Sequence, residues 1–366
     1  MTAASFDQLL AAPRFRMLCL AVAEELGVDT TDSLTVGGAA RSGFARLDQL
    51  DVDEALVRPL ARALAVAPVR AVRARTEPLS LFPALGRAVD SSMPWQPPLI
   101  EEALSGLPVI QEALRPVAEA VLASDAAAWW STDLDHDGQW VVRAVRDGQQ
   151  QPMASPGPAA ATLERWHENQ RNEDAEYRTT RPVERSMSGA WWSTPYAFGG
   201  EDRDAAFLPS STRRVGALGA TGLALVEDGF GDEEAWTYRL TPDADARVYE
   251  VHGPDDWTAL VARFPMDVRW ARRREWWEST GREARWYIPD YRAAARDFDA
   301  IHLSVTGYLA TAGRALDVLD GATVLAGWDP DATSWLTEAA VIADDPEHWR
   351  RVGDMHEWEQ VPSEER

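Results

Sequence analysis

The sequence predicts an α+β fold: a helical N-terminal region followed by a mixed, mainly antiparallel multi-stranded domain. Three features point to it. In the first third of the chain apolar side chains recur at helical spacing, as in Leu60, Ala63 and Leu64 and again in Leu104, Leu107, Leu114, Val117 and Val121. From Ala190 onward the pattern changes to short apolar runs bounded by turn formers. Helical runs are interspersed among these short strands, the arrangement of an α+β domain.

Taken in order, Phe6 to Leu26 reads as an amphipathic helix ending at Gly27, with Pro13 kinking it or delaying its start. A polar stretch, Asp29 to Gly43, follows. Asp51 or Asp53 caps a second helix through Leu60 to Val66, and Val69–Arg75 forms a third. Pro78 to Pro98 reads as a connector whose Trp95 is pinned to the larger domain. Glu101–Ser124 is a helical pair broken near Gly106–Pro108. A turn at Asp135–Gly138 leads into an alternating strand, Gln139–Val145. A Pro-containing linker, Gly148–Pro158, precedes a helix over Ala160–Asn172 and a charged irregular stretch to Met187. Strands are expected at 191–195, 213–215, 222–227, 235–240, 247–251, 301–305, 315–319 and 323–328. Helices are expected from Gly253 to Phe264 and from Tyr291 to Arg296, the latter capped by Asp290. The acidic tail after Asp345 reads as a loosely packed helix containing Trp349, His356 and Trp358. The units so defined are a helical module over 1–90, a helical connector over 91–125, an α+β domain over 126–345 and an acidic tail over 346–366.

Composition removes several function classes. The chain has 366 residues, 45% of them apolar, and 17 Trp, enough for a packed core and against extended disorder. No apolar run reaches the length of a membrane span, since Leu9–Val28 is interrupted by Pro13, Arg14, Arg16, Glu24 and Glu25. The start, Met-Thr-Ala-Ala-Ser-Phe-Asp, shows no basic stretch leading into an apolar one, so a cytoplasmic protein without membrane contact is expected. Cys19 is the single cysteine; intramolecular disulfides, CxxC pairs and multi-Cys metal sites are excluded, and a buried thiol is expected. All 36 basic residues are Arg. Without lysine there is no Schiff base, P-loop or kinase ATP lysine. The net charge of −23 is uneven: residues 1–90 carry 10 Arg against 11 acidic residues, and the remainder 26 against 48. The larger part should repel nucleic acid, leaving the Arg-bearing 55–75 segment as the only candidate contact.

Metal and nucleophile signatures are weak. No two of the six His stand at two-to-four-residue spacing. Asp133, Asp135 and Asp137 before Gly138 open like a calcium loop, but Ala144 stands where its closing Glu is needed. No metal is expected. Gly-x-Ser-x-Gly does not occur; Ser304, two residues beyond His302 on an expected strand, shares its face, which makes His302 a satisfied strand histidine or a general base. Gly216, Gly219 and Gly222 are spaced by three and precede an expected strand, unlike a dinucleotide fingerprint.

The remaining inventory of Arg, hydroxyls, aromatics and carboxylates suits cleavage of the nicotinamide–ribose bond of NAD. That chemistry needs an Arg for the diphosphate, a Ser/Thr strand to shape the pocket, aromatics for the nicotinamide and a carboxylate facing the ribosyl cation. Arg213 or Arg214 is the candidate clamp. Glu227 or Glu250 is the candidate acid. Ser193 and Thr194 shape the pocket, and Trp191, Trp192 and Tyr308 are candidate stackers. NAD is thus a candidate substrate, and a small-molecule ligand is expected. The alternative is a non-catalytic binding or regulatory protein, with the helical module and a Trp-rich surface as its working parts. The Trp- and Arg-rich stretch 269–277 is either cation–π packing or a surface for a protein partner.

Three resemblances accompany these readings. Leu60 to Arg75 resembles the last helices of small helix-turn-helix repressor domains. Ser193-Thr194 resembles the Ser-Thr-Ser strand of ADP-ribosyltransferases, with Pro195 in the third place and no Glu-x-Glu pair; it implies NAD as substrate. Finally, Trp191-Trp192-Ser193-Thr194-Pro195, Gly222 to Asp228, Asp299 to Ser304 and Gly327-Trp328-Asp329 are similar to a Trp-rich family of actinobacterial proteins, a likeness that covers about 40% of the chain and implies no particular activity.

Overall fold

A computed structural model describes residues 4–30, 43–146, 149–150, 158–180, 188–195, 208–229, 231–353 and 357–362. Its N-terminal region is helical: α1 (Phe6–Ala11), α2 (Pro13–Glu25), α3 (Glu54–Ala65), α4 (Arg70–Arg73), α5 (Phe82–Asp90), α6 (Ile100–Ser105), α7 (Pro108–Leu122) and α8 (Ala159–Thr180). Ser5 starts α1 with a capping box, its Oγ accepting from Gln8 N while Gln8 Oε1 accepts from Ser5 N. The single helix expected over 6–26 is two. Pro13 has no N–H to donate and drives Ala12 to an extended conformation (φ −86°, ψ 133°), so the chain breaks there and restarts with Pro13 at the first turn of α2. Asp53 caps α3 by accepting from Ala55 N. The expected connector over 78–98 contains α5, whose Phe82, Leu85 and Val89 are buried at helical spacing. Trp95 is tied to the sheet region, as expected, through Nε1 donating to Asp228 Oδ2 (3.2 Å). Part of the stretch expected to be irregular, 173–180, continues α8.

The rest is built on a ten-stranded sheet in the order β14-β13-β4-β1-β3-β11-β8-β5, with β2 beside β1 and β12 beside β4. Its members are β1 (Gln139–Arg146), β2 (Gln149–Gln150), β3 (Ser210–Arg213), β4 (Glu234–Pro242), β5 (Val248–Val251), β8 (Ala300–Leu303), β11 (Thr333–Trp335), β12 (Ala340–Ile342), β13 (Glu347–Arg351) and β14 (Trp358–Gln360). Two hairpins, β6 (Pro265–Asp267) with β7 (Tyr287–Pro289) and β9 (Leu316–Val318) with β10 (Gly321–Thr323), stand apart. All named pairings are antiparallel except β5 with β8. The parallel strands are each followed by a helix, α9 (Pro254–Arg263) after β5 and α12 (Val305–Thr311) after β8. Two further helices, α10 (Arg273–Thr280) and α11 (Tyr291–Ala294), lie between.

Several expected elements differ. The strand expected over 213–215 falls earlier, since β3 ends at Arg213, and the one expected over 323–328 ends at Thr323 with β10. The stretch 191–195 is irregular, not a strand. The stretch 222–227 is a short 3-10 turn at Thr221–Leu223 and then a loop, because β3 and β4 already occupy both edges of β1. The tail is a strand pair, β13–β14, in which buried Trp349 donates from Nε1 to Thr237 Oγ1 (3.1 Å); His356 lies outside the described residues. One apolar cluster runs from the N-terminal helices into the sheet region, holding Leu18, Val22 and Leu114 together with Trp257, Trp276 and Trp328. Cys19 is fully buried within it, and burial raises its thiol pKa. Among the described residues no helix is long and apolar enough to cross a membrane.

Candidate active site

The parallel pair positions a cluster of titratable side chains. Its strands are short and almost wholly apolar apart from Glu250 and His302, which are register partners and therefore share a face. Each strand ends where a helix begins. Gly253 and Pro254 start α9, and Ser304 caps α12 by accepting from Gly307 N (3.0 Å). Ligands of open α/β sheets sit at such carboxyl ends. Gly307 lets α12 seat there: a Cβ on it would fall 2.1 Å from Val251 O.

The chain following a 3-10 turn, Ser131 to Leu134, crosses these strand ends. Ser131 Oγ meets Thr306 Oγ1 (2.7 Å), and Leu134 N donates to Glu250 Oε1 (3.0 Å). Asp133 Oδ1 lies 2.9 Å from His252 Nε2. The other ring nitrogen of His252, Nδ1, lies 3.1 Å from Ser304 Oγ. The order Asp133–His252–Ser304 has the outline of a relay, but Ser304 is 1% exposed and already bonded to Gly307 N and Val251 O, so its hydroxyl holds the ring in place. Ser304 thus serves His252 rather than His302, with which the sequence pairs it.

Asp133, Glu250 and His252 bring their donor atoms within 4.8 Å of one another. That spacing would admit a divalent cation. As arranged, His252 Nε2 meets Asp133 directly, and both Glu250 oxygens accept hydrogen bonds, from Leu134 N and His302 Nδ1. Asp133 is open to solvent (side chain 77% exposed) and Glu250 is at the edge (14%), so a ligand can reach both.

Beneath them His302 is fully buried. Its Nδ1 donates to Glu250 Oε2 (2.5 Å) and its Nε2 lies 3.5 Å from Asp331 Oδ1. Burial alone would lower its pKa; contact with Asp331 and Glu250, and their charge, outweighs that and holds it at about 9. Held in this way, His302 orients Glu250 from behind, the arrangement of a satisfied strand histidine. Arg213 completes the network. Its Nε donates to Asp331 Oδ1 (2.5 Å) and its backbone N to Asp331 Oδ2 (2.9 Å), while Nη1 and Nη2 reach Thr132 Oγ1 and Asp133 O. Asp331 sits in the left-handed region (φ 65°) while 1% exposed. Strain of this kind, of order 1–3 kcal/mol, persists where surrounding contacts over-determine it.

Glu227 and Tyr308 form a second buried group, which reaches Asp329, two residues before Asp331. Glu227 accepts from Ser92 Oγ (2.6 Å), Tyr308 Oη (3.0 Å) and Gly327 N. Its own N donates to Asp329 Oδ1 (2.8 Å). Burial raises the pKa of both carboxyls; Asp329, with the Glu227 charge added, stands at about 7. Tyr308 is a hydrogen-bond donor inside the core, and its ring is fully buried rather than offered to a ligand.

The other expected site residues lie elsewhere. Ser193 is buried and exchanges hydrogen bonds with Ala326, Thr194 is buried beside it, and Trp191 packs edge-on against Trp192 with its carbonyl accepting from Trp276 Nε1. Arg214 pairs with both Glu347 oxygens (2.9 and 3.0 Å) between Trp140 and Trp349. In the stretch 269–277, Arg272 and Trp276 are fully buried, while Arg58, Arg62, Arg70 and Arg73 in the 55–75 segment are exposed. His302 and Arg213 thus meet through Asp331, and Glu227 meets Tyr308, but the two groups do not share one cleft with Arg214. Sequence reading passed over His252, Asp331, Asp329 and Ser92. The strand-ending Glu-Val-His and the Asp-Pro-Asp turn were the signals. Comparison with known proteins finds no matching family, curated relative or solved structure.

Proposed function

We propose that the chain acts on a small polar ligand bound at the carboxyl ends of β5 and β8, with Glu250 as the working carboxylate and His252 as its proton-carrying neighbour. The observation that supports this reading is the fixed carboxylate. Glu250 is held by His302 below and Leu134 N beside it, yet remains at the solvent edge. A pre-oriented carboxylate is what a developing ribosyl cation needs, because no reorganisation is required as charge appears. NAD cleavage or ADP-ribosyl transfer is accordingly the reaction to test, with Glu250, the second of the two candidate acids, as the carboxylate. Purified protein is assayed for nicotinamide release beside Glu250→Gln and His252→Asn. Release that both substitutions abolish in folded protein supports the reading; wild-type protein that neither releases nicotinamide nor changes its melting temperature with NAD removes NAD as the substrate.

One observation favours the non-catalytic reading. Both arginines expected to clamp a diphosphate are already engaged, Arg213 by Asp331 and Arg214 by Glu347. A binding protein for a smaller, uncharged or cationic ligand requires no such clamp.

A further inference from the structure

A second site lies at the other end of α12, roughly 10 Å away by helical rise. Here α2, the segment before residue 49, α6 and the ends of α10 and α12 border an open cavity of about 630 Å³. Four guanidiniums line it: Arg16, Arg46, Arg282 and Arg314. They approach from four separate parts of the chain. In a molecule of net charge −23 this is a local reversal of sign.

Two of the four are paired with carboxylates, Arg46 with Asp48 and Arg282 with Asp317. Arg16 and Arg314 make no ion pair among the described residues. Arg16 spends its donors on Ser105 Oγ and the carbonyls of Leu10 and Ala11, and Arg314 on the carbonyls of Gln8 and Ala310. Burial lowers the pKa of both; for Arg16, with Arg14 and Arg314 adding to the effect, it falls to about 10. Arg46 is 8% exposed and lies over Trp277 (4.7 Å). Its Nε and Nη2 hold Asp48, but its Nη1 is buried without a partner. Gly281 (φ +73°) makes this placement fit, since a Cβ there would come 2.9 Å from Arg46 Nε. The two lining carboxylates are already engaged, Asp48 by Arg46 and Glu102 by Arg14.

We propose that this cavity binds an anion carrying a phosphoryl or diphosphoryl group. Guanidiniums converging from several sides suit the many oxygens of a tetrahedral polyanion better than one planar carboxylate. The site is separate from the Glu250 constellation and stands whether or not that constellation is catalytic.

The test is calorimetric titration of the full chain at low ionic strength with inorganic phosphate, pyrophosphate and adenosine diphosphate. Pyrophosphate is expected to bind, and Arg46→Gln, Arg282→Gln and Arg314→Gln each to weaken it about tenfold or more. Arg282 is partly exposed and pairs with Asp317 at the rim, so Arg282→Gln is the variant that retains the fold. Arg58→Gln, on the exposed face of α3, is expected to leave binding unchanged. Tighter binding of adenosine diphosphate than of pyrophosphate identifies a nucleotide; equal binding identifies the phosphate group alone. Absence of binding by all three anions overturns the proposal. So does binding that Arg282→Gln leaves intact, or that Arg58→Gln weakens as much, since either places the anion elsewhere.

Discussion

His302 and Glu250 stand side by side on the two parallel strands, joined by a 2.5 Å hydrogen bond from imidazole Nδ1 to carboxylate Oε2. Fifty-two residues separate them in the chain, and the pairing places a cation directly behind the one carboxylate of the strand. With Asp331 and Arg213 the set alternates in charge, and each charge has an opposite neighbour.

His302→Asn should therefore cost far more than a surface change. It removes the cation between Glu250 and Asp331 from a buried network, leaving Asp331 with Arg213 and Glu250 with Leu134 N. Breaking a buried pair costs about 3–5 kcal/mol. Urea unfolding of His302→Asn beside Arg247→Gln, whose Asp299 pairing is half exposed, measures the contrast; equal losses would show that His302 bears no special charge role.

The same histidine predicts a pH dependence. Its folded pKa, about 9, lies above its ordinary value of 6.5. The stability it contributes is fully present below 6.5 and is lost as pH rises through 9, a span worth about 3 kcal/mol. The melting temperature should fall across this alkaline window in wild-type protein and fall less in His302→Asn.

Asp329 adds a second, lower window with the same sign. A carboxyl raised from 3.8 to about 7 keeps its proton in the folded state, so stability declines as pH climbs from 3.8 through 7. Asp329→Asn keeps an acceptor for Glu227 N and removes the ionisation. It is expected to be neutral at pH 4 and stabilising at pH 8; destabilisation at both values would show that the carboxylate itself is required.

Gly307→Ala tests the seating of α12. The added methyl would meet Val251 O at 2.1 Å, and only a shift of the helix relieves it. Overpacking of this kind costs about 1–3 kcal/mol. If Glu250 and His252 work together at this end of the helix, ligand-dependent signals should be lost along with stability, whereas Gly216→Ala, in open space, perturbs backbone conformation without touching the site.

Much of the frame was legible from periodicity and turn chemistry. The Asp53 and Asp290 caps, the 139–145 strand and the Gly253-Pro254 start of α9 all depend on neighbours within a few residues, which is the range a sequence displays directly. Element type failed where a neighbour distant in the chain decided it. Gly222 to Glu227 has strand composition but no free edge to pair with, and the tail has enough polar residues for a helix yet finds an edge at β4.

By itself, then, the sequence determined an α+β protein with a helical N-terminal region, because hydrophobic period and capping are local properties. It also determined which chemistries are closed, through the absence of lysine and the single cysteine. What only the tertiary structure decided is which charged groups meet. Glu250 joins His302, Arg213 joins Asp331, and Ser92 joins Glu227 across separations of 52, 118 and 135 residues. Strand register and helix docking set those encounters, and burial sets their ionisation; neither quantity exists until the chain has closed on itself.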